Sequence, residues 1–306
     1  MILLLLLTIW VGIVIASSRN EYAIPGVFDP SGRLHQIEAA FKSAERGSTI
    51  LAINSDDHVV IMTWQPSDSA IEEPSMKLVR LSKTMGLCAT GIVADAHYLS
   101  QQAFKEVLTH QRVFGSVPVL SRLSHNLADQ MHKKTLSLAS RPFGVMLCIF
   151  GFDTGKAQSQ LYQVTPSGSC RECSVFCTGR NSEKLLASYK KQHGKRLPTG
   201  NSLVTTVQSV VDAVRNVYVT RSPGIPVPTN SVHEDSISST GSEVDDDEAF
   251  AQPLFRAQDV TIHVLGKDYC LQQVDGLSLC EAIRTGDFQV LRETLQGADM
   301  EGNDVE

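Results

Sequence analysis

The sequence predicts an α+β fold in which two sheets pack face to face with helices outside, and three patterns lead to it. Residues 33 to 62 read as helix, strand, turn, strand. Leu34, Ile37, Phe41 and Ala44 recur at three- and four-residue spacing, with Arg33, Glu38, Lys42 and Glu45 off that stripe. The helix is expected to stop at Gly47, Thr49 to Ile53 to form a strand, Ser55-Asp56-Asp57 to turn, and His58 to Met62 to return. Second, Gly144 to Phe152 is an almost unbroken apolar run, the pattern of a buried strand. Third, amphipathic helices follow the strands: one over 119 to 138 with Leu120, Leu123, Leu127 and Met131 on one face, another with Leu203, Val207, Val210, Val214 and Val217 in register. One apolar face per helix is enough to cover a sheet.

The remaining elements fall between these. Ser75 to Leu81 and Met85 to Thr90 read as strands meeting at Ser82-Lys83-Thr84, and Ala94 to His110 as a helix started near Asp95. Gln160 to Thr165 and Cys173 to Thr178 read as strands, the former joined to the apolar run through the turn Asp153-Thr154-Gly155-Lys156. Ser182 to Gln192 is a short helix, and Gly194 to Asn201 a loop. From Arg221 to Pro253 all periodicity is lost. Pro223, Pro226 and Pro228 forbid regular pairing, and the acid- and serine-rich run after them cannot bury enough apolar surface to offset its ordering entropy. A disordered acidic insertion over 221 to 257 is therefore expected within a single domain. Ordered sequence resumes with a hairpin, Val260 to Leu265 and Tyr269 to Val274, and a closing helix over Leu279 to Leu295.

Composition narrows the function. The net charge is −6. Residues 231 to 250 alone hold Glu234, Asp235, Glu243, Asp245, Asp246, Asp247 and Glu248 with no Lys or Arg, so the rest is near neutral and shows no basic stripe for nucleic acid. Seven cysteines, an odd number spread through a large chain, suit reduced thiols rather than a disulfide-stapled module. Cys170, Cys173 and Cys177 lack a fourth ligand at zinc spacing, and no metal or other cofactor is expected. No G-x-S-x-G elbow, P-loop, G-x-G-x-x-G or H-E-x-x-H occurs, and His35 and His263 read as core or interface residues. Ile2 to Ala16 is apolar and ends in small residues like a signal-peptide core; it is short for a membrane span and lacks a preceding Lys or Arg. No stable membrane association is expected.

Residues 32 to 53 resemble the opening block of a proteasome alpha-type subunit. Gly91-Ile92-Val93-Ala94-Asp95-Ala96 resembles that family's G-x-x-A-D corner, Arg141-Pro142-Phe143-Gly144-Val145 its R-P-[FY]-G-V segment, and Val260 to Asp268 its last strands. Arg33 to Glu38, Pro118 to Leu123, Arg19-Asn20-Glu21 and Leu265 to Asp268 are most similar to the alpha type-1, or alpha-six, class. The resemblance implies the four-layer αββα sandwich of the N-terminal-nucleophile hydrolases. It implies a non-catalytic subunit of the 20S alpha ring, in cytoplasm and nucleus. Its partners would be six other alpha subunits in a hetero-heptameric ring, beta subunits, and regulatory particles or activators. On it, residues 1 to 18 are either a signal-like leader or a mis-assigned first exon, 19 to 30 the gate tail with Tyr22, and 31 to 220 with 258 to 306 one core.

The same resemblance places the sites. Gly32, Arg33, Leu34, Gln36 and Glu38 belong to the signature and ring-packing helix, and Lys77 matches the lysine of the pocket that receives activator C-termini. Catalytic beta subunits need a threonine whose own free amine takes its proton. Laid on them, this chain has Ser48 at the nucleophile, Trp64 where the catalytic Asp belongs, and Lys77 at the catalytic Lys. A helix precedes Ser48, so no catalytic residue is expected. Departures fall in the tail: Ala23 follows Tyr22, Pro25-Gly26 would bend it, Phe28-Asp29-Pro30 replaces an aromatic-Ser-Pro segment, and Ala39 replaces a Tyr. The alternative is a secreted or luminal hydrolase of the same fold, released by cutting near the leader or before Ser48.

Overall fold

A computed structural model describes residues 26–55, 57–64, 77–153, 158–193, 202–218, 257–266, 271–286 and 288–289. The leader, the first part of the tail with Tyr22, nearly all of the acidic insertion and the last residues of the expected closing helix lie outside them.

Strands β1 (Ile50–Ser55) and β2 (His58–Trp64) are buried on both faces, which is why they read as continuous apolar runs rather than alternating ones. They lie at the centre of a five-stranded antiparallel sheet. β9 (Val260–Leu265) and β10 (Leu271–Gln273) continue it beyond β2, and β8 (Val175–Thr178) closes it beside β1. A second antiparallel sheet runs in the order β3 (Leu78–Arg80), β4 (Met85–Gly91), β5 (Val145–Asp153), β6 (Gln158–Val164), β7 (Cys170–Glu172). Because side chains alternate along a strand, each sheet serves two clusters. Ile50, Ala52, Val59 and Ile61 of the first sheet meet Cys88, Cys148, Phe150 and Leu161 of the second in a shared cluster. Leu51, Ile53, Val60 and Met62 point the other way, onto α5 (Leu203–Tyr218), with α4 (Ser182–His193) and α6 (Gly276–Thr285) in the same cluster. On the far side of the second sheet, Leu87, Leu147 and Ile149 pack on α2 (Val93–Phe114) and α3 (Leu120–Thr135). The expected stripe Leu120, Leu123, Leu127 and Met131 is buried there.

Several boundaries differ from the sequence reading. The strand expected over Cys173 to Thr178 is the shorter β8, paired with β1, and a strand that was not expected, β7, precedes it in the other sheet, paired with β6. The chain crosses at Cys173 and Ser174, where Cys173 N donates to Leu161 O of one sheet at 2.9 Å and Asn54 N of the other donates to Ser174 O at 2.8 Å. Cys170 and Cys177 therefore part company, and burial pushes the Cys177 thiol up to about 12. The helix expected over Ala94 to His110 begins one residue earlier, at Val93, with no side-chain cap, and runs four residues past His110 until Gly115 closes it at φ 71°. The final helix starts earlier than Leu279, because Asp275 caps it by accepting from Ser278 N at 3.0 Å, and Gly286 at φ 78° stops it after Thr285 rather than at Leu295. Among the described residues, no helix is long and apolar enough to cross a membrane.

Candidate functional site

The helix α1 (His35–Glu45) and the turn before it hold the signature residues. Asp29 organises that turn: its carboxylate accepts from Ser31 Oγ at 2.7 Å and Arg33 N at 2.8 Å, while Gly32 N donates to Asp29 O at 2.9 Å. Those bonds hold the Asp29 carboxyl below its ordinary value, the Ser31 hydroxyl contributing most. Gly32 sits at φ 79°, a conformation that favours glycine. Arg33 grips Glu38 with two bonds, Nε at 2.8 Å and Nη2 at 2.6 Å. Of the two places expected for His35, core or interface, the core does not hold it: it is exposed, and its Nε2 lies 3.1 Å from Asp29 Oδ2. The apolar stripe is also rotated from the one read in sequence. Ala40 and Ala44 are buried, whereas Leu34, Ile37 and Phe41 are half-buried, Phe41 packing on the cluster that holds Ala44.

Two motifs that lie about fifty residues apart in sequence meet beneath this helix. The Asp95 carboxylate takes Nη1 and Nη2 of Arg141 at 2.6 and 2.8 Å, and also accepts from Gly144 N at 3.0 Å. Ile92 N donates to Gly144 O at 3.0 Å, and Gly91, at φ 124°, passes so close to that carbonyl that any Cβ would collide with it. Ser43 Oγ of α1 lies 3.0 Å from where a Cβ on Gly144 would stand. The G-x-x-A-D and R-P-F-G-V segments are thus one corner, and it seats α1 and α2 together.

The third constellation is the end of the first sheet where β1 begins. Ser48 follows α1 without a break. Gly47 O accepts from Arg180 N at 3.0 Å, and Ser48 O accepts from Thr90 Oγ1 at 2.8 Å. Gly179, at φ 94°, presses against Ser48 O so closely that no side chain fits there. Ser48 N is therefore an ordinary amide, and it cannot act as the proton acceptor that an N-terminal nucleophile requires. Trp64, 2% exposed, donates its backbone N–H to Thr49 O at 2.9 Å and packs its indole against the Tyr218 ring at a centroid distance of 5.0 Å. Thr49 Oγ1 donates to Arg180 O at 2.5 Å. Lys77 reaches the same end, its Nζ donating to Trp64 O at 3.5 Å. Burial, and secondarily the charge of Arg180, push the Lys77 amine down to about 7.

The structure thus brings Ser48, Trp64 and Lys77 together and holds Gly32, Arg33, Leu34, Gln36 and Glu38 apart on α1 and its approach; Tyr22 lies outside the described residues. Sequence reasoning missed Thr49, Arg180 and Tyr218 as members of this end. Only the Gly179-Arg180 pair directly after a strand could have hinted at Arg180.

The family described as "Proteasome subunit" matches residues 44–222, more than half of the chain. Proteasome subunit alpha type-1 of Drosophila melanogaster is 29% identical over 180 residues, 58% of this chain and 64% of that subunit. Alpha type-6 of Saccharomyces cerevisiae is 31% identical over 54% of this chain and 70% of its own. Alpha type-7-A of Arabidopsis thaliana is 28% identical over 77% of this chain and 96% of its own. The chain belongs to the proteasome subunit family, with alpha-type subunits as its relatives. Types 1, 6 and 7 stand within a few per cent of one another in identity.

Proposed function

We propose that this chain is a non-catalytic subunit of the 20S proteasome alpha ring, acting in ring assembly, pore gating and activator docking. One observation carries the non-catalytic part: Ser48 is an internal residue whose flanking carbonyls are already bonded, with Trp64 and Tyr218 packed where a catalytic acid would have to stand. The two sheets with helices on both outer sides fit the four-layer αββα sandwich. Residues 31 to 220 and 258 to 306 form one core on this reading, the acidic insertion loops out of it, and Tyr22 belongs to a gate tail rooted at the Asp29 turn. The particle works in cytoplasm and nucleus. Its partners are six other alpha subunits, the beta subunits and regulatory particles or activators.

Lys77 is the docking lysine of this proposal, because a desolvated ammonium regains full charge when a chain-terminal carboxylate arrives beside it. Lys77→Ala is expected to leave the chain in assembled particles while weakening activator binding by about 1.5–3 kcal/mol, the size of one charge-assisted hydrogen bond. Activator titration of purified particles measures it, and unchanged stimulation removes Lys77 from the pocket. Ser48→Ala should leave peptide turnover by the same particles unchanged; turnover lost with that substitution would refute the non-catalytic assignment.

A further inference from the structure

Two cations meet at the β1 end of the first sheet, at different depths. Lys77 is half-buried, and its Nζ has one acceptor among the described residues, Trp64 O at a long 3.5 Å. Arg180 is exposed. Its backbone is fixed by Gly47 O and by Thr49 Oγ1, and its Nε donates to Arg46 O at 2.9 Å, which orients the guanidinium while leaving Nη1 and Nη2 without a protein partner among the described residues. Neither cation forms an ion pair among those residues. Lys77 Nζ bonds to Trp64 O, Trp64 N to Thr49 O and Thr49 Oγ1 to Arg180 O, and across that link the two like charges repel, which adds to the burial that holds the Lys77 amine down. An arrangement that raises the energy of the empty site is relieved by one ligand, an anion with two oxygens. A planar guanidinium fork matches a carboxylate bidentately, whereas an ammonium acts as a point charge.

We infer that Arg180 is a second recognition residue of the Lys77 pocket, its guanidinium Nη1 and Nη2 and the Lys77 ammonium together clamping the terminal carboxylate of an incoming chain. This rests on the docking role proposed for Lys77. Arg180 sets specificity for a chain end over a side-chain or amidated terminus, because the fork at the mouth and the ammonium at the floor demand a carboxylate that can reach inward.

The test uses assembled particles carrying the wild-type chain, Lys77→Ala, Arg180→Gln or Arg180→Lys. Gln keeps an N–H for the Arg46 carbonyl but removes the charge. The probe is a benzophenone-bearing octapeptide copied from an activator C-terminus, made as the free acid and as the amide. Adduct formed on this chain is measured against peptide concentration. For the free acid, half-saturation should rise at least about tenfold with Arg180→Gln and with Lys77→Ala, and about threefold with Arg180→Lys, which retains charge but not the fork. The amide should bind all four particles equally weakly. If Lys77→Ala shifts the curve and Arg180→Gln does not, the inference about Arg180 is overturned while the pocket stands. If neither shifts it, the pocket reading fails and takes the inference with it. Equal weakening of acid and amide by Arg180→Gln would mean that Arg180 only shapes the loop, which also overturns the inference. If Arg180→Gln does not enter the particle, Arg180→Lys decides alone, and an unshifted curve overturns the clamp.

Discussion

Gly91→Ala is expected to cost about 2–6 kcal/mol, a large fraction of the 5–15 kcal/mol that usually holds a domain folded. Two effects add at this position. A φ of 124° lies where side chains rarely go, a strain of about 1–3 kcal/mol, and the new methyl would be driven into the Gly144 carbonyl, an overpacking cost of about 1–3 kcal/mol. Neither side can give way. Gly144 O already accepts from Ile92 N, and Gly144 N is held by Asp95, which itself is locked to Arg141. Gly115→Ala is the matched control: φ is 71° but no atom lies within 4 Å of the added carbon, so only the backbone strain of about 1–2 kcal/mol should appear. Thermal denaturation of the two variants checks this. Equal small losses would mean that the corner is not the rigid joint described above.

Phe104→Asp combined with Phe114→Asp should abolish entry of the chain into assembled particles while leaving its own folding within about 0.5 kcal/mol of wild type. In the chain alone, Phe104, Val113, Phe114 and Val119 remain 45%, 67%, 63% and 57% exposed, all on or just beyond α2. Single exposed apolar residues are ordinary, but several large ones along one helix mark a surface that another molecule covers. The buried face of α2 is carried by Leu99, Ala103 and Val107 instead, and Phe114 meets the His110 ring on the exposed side of the same helix, centroids 4.6 Å apart. A charge at the outer face is then cheap in the free chain and costly in an interface, where it would be desolvated without a partner. Size-exclusion profiles of particles grown with the double variant, beside melting of the free chain, separate the two effects. A variant that assembles normally would show that this face stays open to water in the particle.

The difference between what was readable and what was not follows from the range of the interaction. Leu120, Leu123, Leu127 and Met131 were legible as a buried stripe because one helix and its own periodicity define it, and β1 and β2 because both of their faces are apolar. The run Cys170 to Thr178 carries no local mark where it leaves one sheet for the other; the bonds of Cys173 N to Leu161 O and of Ser174 O to Asn54 N, in different sheets, reveal the crossing. Asp95 looked like a helix-start residue, and its real work is a bond to Arg141, which no local pattern encodes. The last turn of α2 is exposed, so the apolar pattern ends before the helix does. Lys77 was singled out through a family resemblance alone, whereas the place of Arg180 depends on β8 folding back beside β1.

The most direct measurement is native mass spectrometry of complexes captured through a C-terminal tag on this chain, followed by peptide sequencing of the captured subunit. An alpha-ring subunit predicts a particle containing six other alpha-type chains and beta subunits, in which this chain keeps its Gly47-Ser48 bond intact. Recovery of the chain without other proteasome subunits, or of a form that begins at Ser48 and turns over peptides by itself, would contradict it.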